Sequence, residues 1–278
     1  MARNCAVSLA LLAALSASTG TTRSAGLSVA AQATVFLAHA LPQGLSEKYY
    51  DASGAATHIL LVVDSLLHSK RTTRQVLSAV ASVMWATRLG SYLYARMLRD
   101  GVDHRFDSMK KAGVVAFAQA WAMQALWCFI VQLPLLVANS NEKEDKDTTS
   151  TRDVLGWAVF LTGFVVELVA DAQKSAHRTR PENNGKFIDE GLWHYSRHPN
   201  MAGEILIWTG LAASCSSSFT KPTDWLGLLS PVFTYFLLTR VSGVPMLEKS
   251  SMKKWGNDAA YVAYVKNTPV LFPLLSSS

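Results

Sequence analysis

The stretch from Ala112 to Ala138, AGVVAFAQAWAMQALWCFIVQLPLLVA, carries no charged side chain. Its only strongly polar members are Gln119, Gln124 and Gln132. A helix needs roughly 20 mainly apolar residues to cross a bilayer, and this stretch exceeds that. The rest of the chain agrees. Only 17% of the 278 residues are charged, against roughly 25% in ordinary soluble domains. The mean hydropathy is +0.17. That balance excludes a disordered chain, which needs few apolar groups and many charges. Three cysteines, Cys5, Cys128 and Cys215, sit in apolar stretches and exclude a disulfide scaffold.

Working outward, Val154–Ala170 is charge-free until Glu167, Glu204–Phe219 is shorter and rich in small residues, and Trp225–Leu247 is interrupted by Arg240. Gln75–Leu98 carries Arg88 in its interior, and Thr57–Leu67 is apolar but short. With one further segment between Leu27 and Leu41, the expectation is an all-α fold, an integral membrane helical bundle of six to seven transmembrane helices. Ala6–Leu15, followed by Ser16-Ala17-Ser18, fits a signal peptide, an acid-poor transit peptide or a weakly hydrophobic first membrane segment. Residues 1–46 are therefore read apart from a transmembrane domain over 47–278.

Loop charges set orientation in such proteins. Arg99–Lys111, His177–Lys186 and the tail after Leu247 are basic, whereas Asn141–Asp153 carries Glu142, Glu144, Asp145 and Asp147. With single spans between them, the basic pieces share one face, expected to be cytosolic. Lys70, Arg71 and Arg74 break that pattern. The net charge of +6 is thus a topology signal, and it also suits an anionic ligand.

Charges within apolar segments are costly and tend to be functional. Glu167, Asp171, Lys174 and Arg178 recur at helical spacing, so a continued helix puts them on one face. They suit either salt-bridged pairs on a helix leaving the membrane or a ligand site, with Arg178 the outermost cation. In Gly191–Glu204, GLWHYSRHPNMAGE, Pro199 suits the first turn of a helix. Arg197 and His198 then precede a helix start, where free N–H groups and the dipole attract anions. Asn200 and Glu204 lie one turn apart, and an amide such as Asn200 both donates and accepts. The bland alternative is an ordinarily capped loop-to-helix junction.

Arg88, Tyr92, Arg96 and Arg99 form a polar stripe. A phenol such as Tyr92 can polarise a carbonyl, although snorkelling cations explain Arg96 and Arg99 equally well. The tail contributes Glu248, Lys249, Lys253, Lys254, Trp255, Tyr261 and Tyr264; the two tyrosines suit either the flank of a planar group or an interfacial belt. The sequence has no GxGxxG after a strand and no Walker loop, so any nucleotide would be held by helices and loops at the membrane surface; with no HExxH and no CxxC, no metal site is expected. Basic residues spread over loop ends argue against nucleic acid.

The segments Gly191–Glu204, Ser242–Glu248 and Trp255–Pro273, with Arg88–Arg96, Gly101–Phe106 and Glu167–Lys174, together resemble the steroid 5α-reductase superfamily. The likeness is closest to its branch of uncharacterised reductase-like membrane proteins and covers roughly residues 76–273. It implies a membrane enzyme that uses NADPH to reduce a C=C bond in a sterol-, enoyl- or polyprenyl-like lipid, with the cofactor half at about 154–273. Carried over, Arg178 and Arg197 contact phosphates, Asn200 and Glu204 the nicotinamide end, and Tyr261 and Tyr264 lie along the cofactor. Asp171, Lys174 and His198 belong to the same pattern. Tyr92 is the phenol carried over as catalytic residue, and no acid matches the family's second catalytic group. The endoplasmic reticulum, or another organelle membrane, is the expected location. An isoprenylcysteine-type methyltransferase using S-adenosylmethionine shares an Arg-His-Pro segment and a Tyr-rich tail. A non-catalytic lipid-binding membrane protein is the third reading.

Overall fold

A computed structural model of the chain describes residues 2–141 and 148–273. It is helical, with no strand among the described residues. The acidic Glu142, Glu144, Asp145 and Asp147 lie outside them. The helices are α1 (Ala2–Thr19), α2 (Thr22–Val35), α3 (Tyr50–Leu67), α4 (Thr73–Asp100), α5 (Asp107–Lys111) and α6 (Val114–Ser140). They continue as α7 (Thr151–Thr179), α8 (Leu192–Tyr195), α9 (Pro199–Cys215), α10 (Leu229–Phe236), α11 (Gly243–Trp255) and α12 (Ala259–Asn267).

Three helical runs are long and apolar enough to cross a membrane: Val114–Ser140, Thr151–Thr179 and Pro222–Trp255. The protein is therefore read as integral to a membrane. Three is fewer than the six or seven expected, for identifiable reasons. The 28-residue α4 has the length but carries Arg74, Arg88, Arg96 and Arg99. Thr57–Leu67 is the end of α3, whose 18 residues include Asp51, His58 and Asp64. Glu204–Phe219 is not one helix: α9 starts earlier, at Pro199, and gives way to a 3₁₀ turn at Ser216–Ser218. The Leu27–Leu41 segment is the end of α2 and a π-helical turn over Phe36–Ala40.

The chain divides into two compact units, residues 1–154 with 212–230, and residues 155–211 with 231–278. In the first, α6 is the central helix, and α1, α2 and α3 pack on it. Along α6 most side chains are buried, Phe117, Phe129, Val131 and Leu133 completely. Several of its polar groups bond to neighbouring helices, as buried polar atoms in lipid favour. Gln124 Nε2 donates to Gln32 Oε1 at 3.0 Å and to Ser53 Oγ at 3.0 Å. Local signals set the ends of α4. Thr72 and Gln75 form a reciprocal capping box, and Gly101 ends the helix at φ 75°.

Arg74 removes one of the three charges that break the loop pattern, whereas Lys70 and Arg71 are exposed and still break it. The Arg74 guanidinium is buried and bonds both oxygens of the buried Asp153, at 2.7 and 3.0 Å, with Ser218 Oγ at 3.0 Å. A cation neutralised inside the fold carries no topological information. Cations at the end of α4 and in the segment after it are also paired: Arg96 and Arg105 both reach Asp51, Arg105 bonds Asp103, and Lys110 pairs with Glu47.

In the second unit, α7 and α9 cross at a seam of glycines. A Cβ on Gly163 would meet Gly203 O at 2.5 Å, one on Gly203 would meet Gly163 O at 2.7 Å, and one on Gly210 would meet Phe160 N at 2.3 Å. Small residues at such a seam let backbones approach closely where lipid supplies no hydrophobic drive. The approach brings Glu167 of α7 against Gly203, and so sets the continuing face of α7 beside the start of α9.

Candidate functional site

α7 continues unbroken to Thr179, so Glu167, Asp171, Lys174 and Arg178 share one helix face as the spacing requires. Burial falls along it. Glu167 and Asp171 are buried, Lys174 is half-buried and Arg178 is exposed. Lys174 Nζ lies 4.6 Å from the centre of the Trp193 ring, a cation–π contact. Trp193 is itself fixed from two sides. Its indole donates to Ala170 O at 3.0 Å, and its carbonyl accepts from the Tyr264 hydroxyl at 2.6 Å.

The segment before α9 is held extended by the C-terminal tail. Arg197 N donates to Pro269 O and His198 N to Val270 O, at 3.0 and 3.1 Å. Pro199 opens α9 as expected, and the His198 carbonyl accepts from Met201 N and Ala202 N. This geometry points Arg197 and His198 at one carboxylate. Arg197 Nη1 lies 2.7 Å from Glu248 Oε2, and His198 Nε2 lies 2.8 Å from Glu248 Oε1. Asn200 Nδ2 donates to Asp171 Oδ1 at 3.3 Å. Three atoms in this cluster are buried without a hydrogen-bond partner among the described residues: Arg197 Nε, His198 Nδ1 and Asn200 Oδ1. Buried polar atoms are normally satisfied, and these three exceptions fall within four residues of one another.

The structure thus joins Asp171, Arg197, His198 and Asn200 into one cluster, and Lys174 and Tyr264 through Trp193. Glu204 follows Asn200 by one turn and is half-buried. Tyr261 and Tyr264, with ring centres 6.4 Å apart, both pack on Phe187, at 5.1 and 5.4 Å. Burial raises the hydroxyl pKa of both tyrosines, so both are neutral phenols at physiological pH. Arg178 lies at the exposed end of α7 and is not among the residues that line an open groove of about 250 Å³ bounded by Gln173, Arg180 and Glu190. Tyr92 is half-buried on α4 in the other unit.

Glu248 is the residue whose role sequence reading missed. A signal existed: an adjacent Arg and His near a membrane surface need a counter-charge, and Glu248 is the sole acid between Asp224 and Asp258. Gln173 was also missed; its Oε1 accepts from Leu192 N at 2.9 Å and fixes the turn at Gly191. The family model for a protein of unknown function, DUF1295, matches residues 42–268. The chain belongs to the DUF1295 family. No curated protein and no solved structure matches it. The DUF1295 match contains every site residue named above. Among the described residues, no group of three or more His, Cys, Asp or Glu side chains is arranged to hold a metal ion.

Proposed function

We propose that this DUF1295 protein is a membrane-embedded, NADPH-dependent reductase of a C=C bond in a lipid, placed in the endoplasmic reticulum or another organelle membrane. The observation that carries the reading is the trio of buried, unpartnered atoms at the start of α9. Arg197 Nε is a donor suited to a phosphate oxygen. Asn200 Oδ1 is an acceptor suited to the N–H of a carboxamide. The N-terminus of α9 adds a positive field for an anion. These features fit a dinucleotide, whose nicotinamide supplies hydride when bound.

The protein's own groups bind and orient. Glu248 fixes Arg197 and His198 through its two oxygens. Asp171 holds the Asn200 amide nitrogen and so turns Oδ1 away from it. Reduction of an activated C=C needs a proton donor or hydrogen-bond donor at the developing enolate. Tyr92 is the phenol assigned to that role.

Titration of the purified protein with NADPH and with S-adenosylmethionine tests this. Submicromolar affinity for NADPH with no S-adenosylmethionine binding supports the reductase. The reverse assigns the site to a methyltransferase, and binding of neither leaves a non-catalytic lipid-binding protein.

A further inference from the structure

The two faces of α11 meet different surroundings. Val244, Glu248, Ser251 and Trp255 recur at helical spacing and are buried or half-buried. Val244 packs in a cluster with Met201, Ala202, Ile205 and Leu271. Glu248 holds Arg197 and His198, and the Trp255 indole donates to Gly185 O at 2.6 Å. The opposite face carries Met246, Lys249, Ser250 and Lys253, the i, i+3, i+4 and i+7 positions of one stripe, all exposed. Met252 and Lys254 flank it. Met246 and Met252 are 48% and 47% exposed.

Charge on this outer face has one sign. Glu248 is the sole acid of α11, and it is turned inward. Asp258, the next acid along the chain, caps α12 by accepting from Ala260 N at 2.9 Å. Lys249 and Lys253 have no ion-pair partner among the described residues, and Lys254 Nζ lies 4.5 Å from the centre of the Trp255 ring. Arg23, Arg74, Arg96, Arg105 and Lys110 differ, each being paired with a carboxylate.

The chain enters α11 from its last membrane-crossing run. Residues 222–241 alone supply the roughly 20 positions that a span needs. A π-helical turn over Leu237–Val241 ends that part, and Ser242, at φ −124° and ψ −81°, leaves helical geometry. α11 therefore starts where the chain reaches the membrane surface. Lysines that only mark topology need no apolar neighbours. Lysines sharing a face with exposed methionines suit the interfacial layer, where apolar groups enter the acyl boundary and ammonium groups stay at the phosphates.

We propose that α11 lies in the headgroup layer and docks on anionic phospholipid through Lys249, Lys253 and Lys254, with Met246 and Met252 entering the acyl boundary. The methionines select the interface, and the lysines select its charge. The proposal is independent of the reductase reading, because no residue of this outer face belongs to the Arg197–His198–Asn200 cluster.

The test uses the full chain with Cys5→Ser and an NBD fluorophore on Ser250→Cys; Cys128 and Cys215 are buried. It is placed in nanodiscs of phosphatidylcholine with increasing phosphatidylglycerol. NBD emission should move to shorter wavelength as phosphatidylglycerol rises, and about 1 M NaCl should reverse the shift by screening. Combining Lys249→Gln, Lys253→Gln and Lys254→Gln should raise the phosphatidylglycerol needed by at least about tenfold. The melting temperature should be unchanged, which shows that the variant folds. Lys70→Gln with Arg71→Gln, at exposed cations of the other unit, should leave the shift intact. Emission that does not respond to phosphatidylglycerol, or a response that survives loss of the three lysines, overturns the proposal. A shift produced by poly-glutamate and not by phosphatidylglycerol also overturns it, and assigns the face to an acidic protein.

Discussion

Glu248 of α11 and Arg197 at the entrance to α9 form an ion pair, Oε2 to Nη1 at 2.7 Å, with the arginine side chain 11% exposed. The pair leaves the Nε edge of the guanidinium buried and unpartnered. Arg197→Ala should raise the NADPH dissociation constant by one to two orders of magnitude, through loss of a charge-assisted bond of roughly 1.5–3 kcal/mol. Glu248→Gln keeps an acceptor beside the guanidinium and should cost less, about tenfold. Fluorescence titration of both variants checks the order; a larger loss in Glu248→Gln would remove Arg197 from contact with the ligand.

Asn200 presents its oxygen only while Asp171 holds its nitrogen. Asn200→Ala and Asp171→Ala should each weaken cofactor binding by about tenfold. Because the two act as a unit, the double variant should lose little more than either single one. Additive losses in the same titration would show that they act independently.

The glycine seam of α7 and α9 makes an unusually sharp stability prediction. Gly203→Ala would force a Cβ to 2.7 Å from the Gly163 carbonyl oxygen, and overpacking of this kind costs about 1–3 kcal/mol. Gly26 in α2 has nothing within 4 Å of an added Cβ. Gly26→Ala should therefore stabilise, by roughly 0.5–1 kcal/mol from helix propensity. Thermal unfolding in detergent should move in opposite directions for the two variants.

Arg74 and Asp153 are 6% and 0% exposed in their side chains. Removing one partner strands the other charge inside the fold. Asp153→Ala should destabilise by about 3–5 kcal/mol, whereas replacing both residues with apolar ones should cost less. Denaturation midpoints of the single and double variants check this.

The loop after α4 should make the protein acid-sensitive. Burial opposes ionisation of Asp103, but the hydrogen bonds and charge of Arg105 outweigh it and hold the carboxyl below its ordinary 3.8. Burial likewise opposes ionisation of Glu47, and Lys110 and backbone N–H groups bring it below 4.5. Carboxyls with depressed folded-state pKa stabilise fully above their unfolded values. That stability should be intact above about pH 5 and lost as pH falls through 4.5 and 3.8 and then through the lower folded values. Asp103→Asn should shift this acid dependence of the melting temperature to a shallower slope.

The sequence by itself determined the helical class, the clearest span and most of the candidate residues. A charge-free run such as Ala112–Ala138 is long and apolar enough to cross a bilayer, and Pro199 fixes where α9 begins because its ring suits the first turn. The spacing of Glu167, Asp171, Lys174 and Arg178 settles that they share a face once the helix continues. Tertiary structure decided which charges are spent on one another. Glu248 meets Arg197 and His198 from 51 and 50 positions away, and Arg74 meets Asp153 from 79 away. Local periodicity holds no record of such pairings, because they depend on how helices cross. The same limit hid the one-sided charge of α11: Glu248 stands beside its lysines in the sequence, and only packing against Arg197 and His198 turns that acid inward.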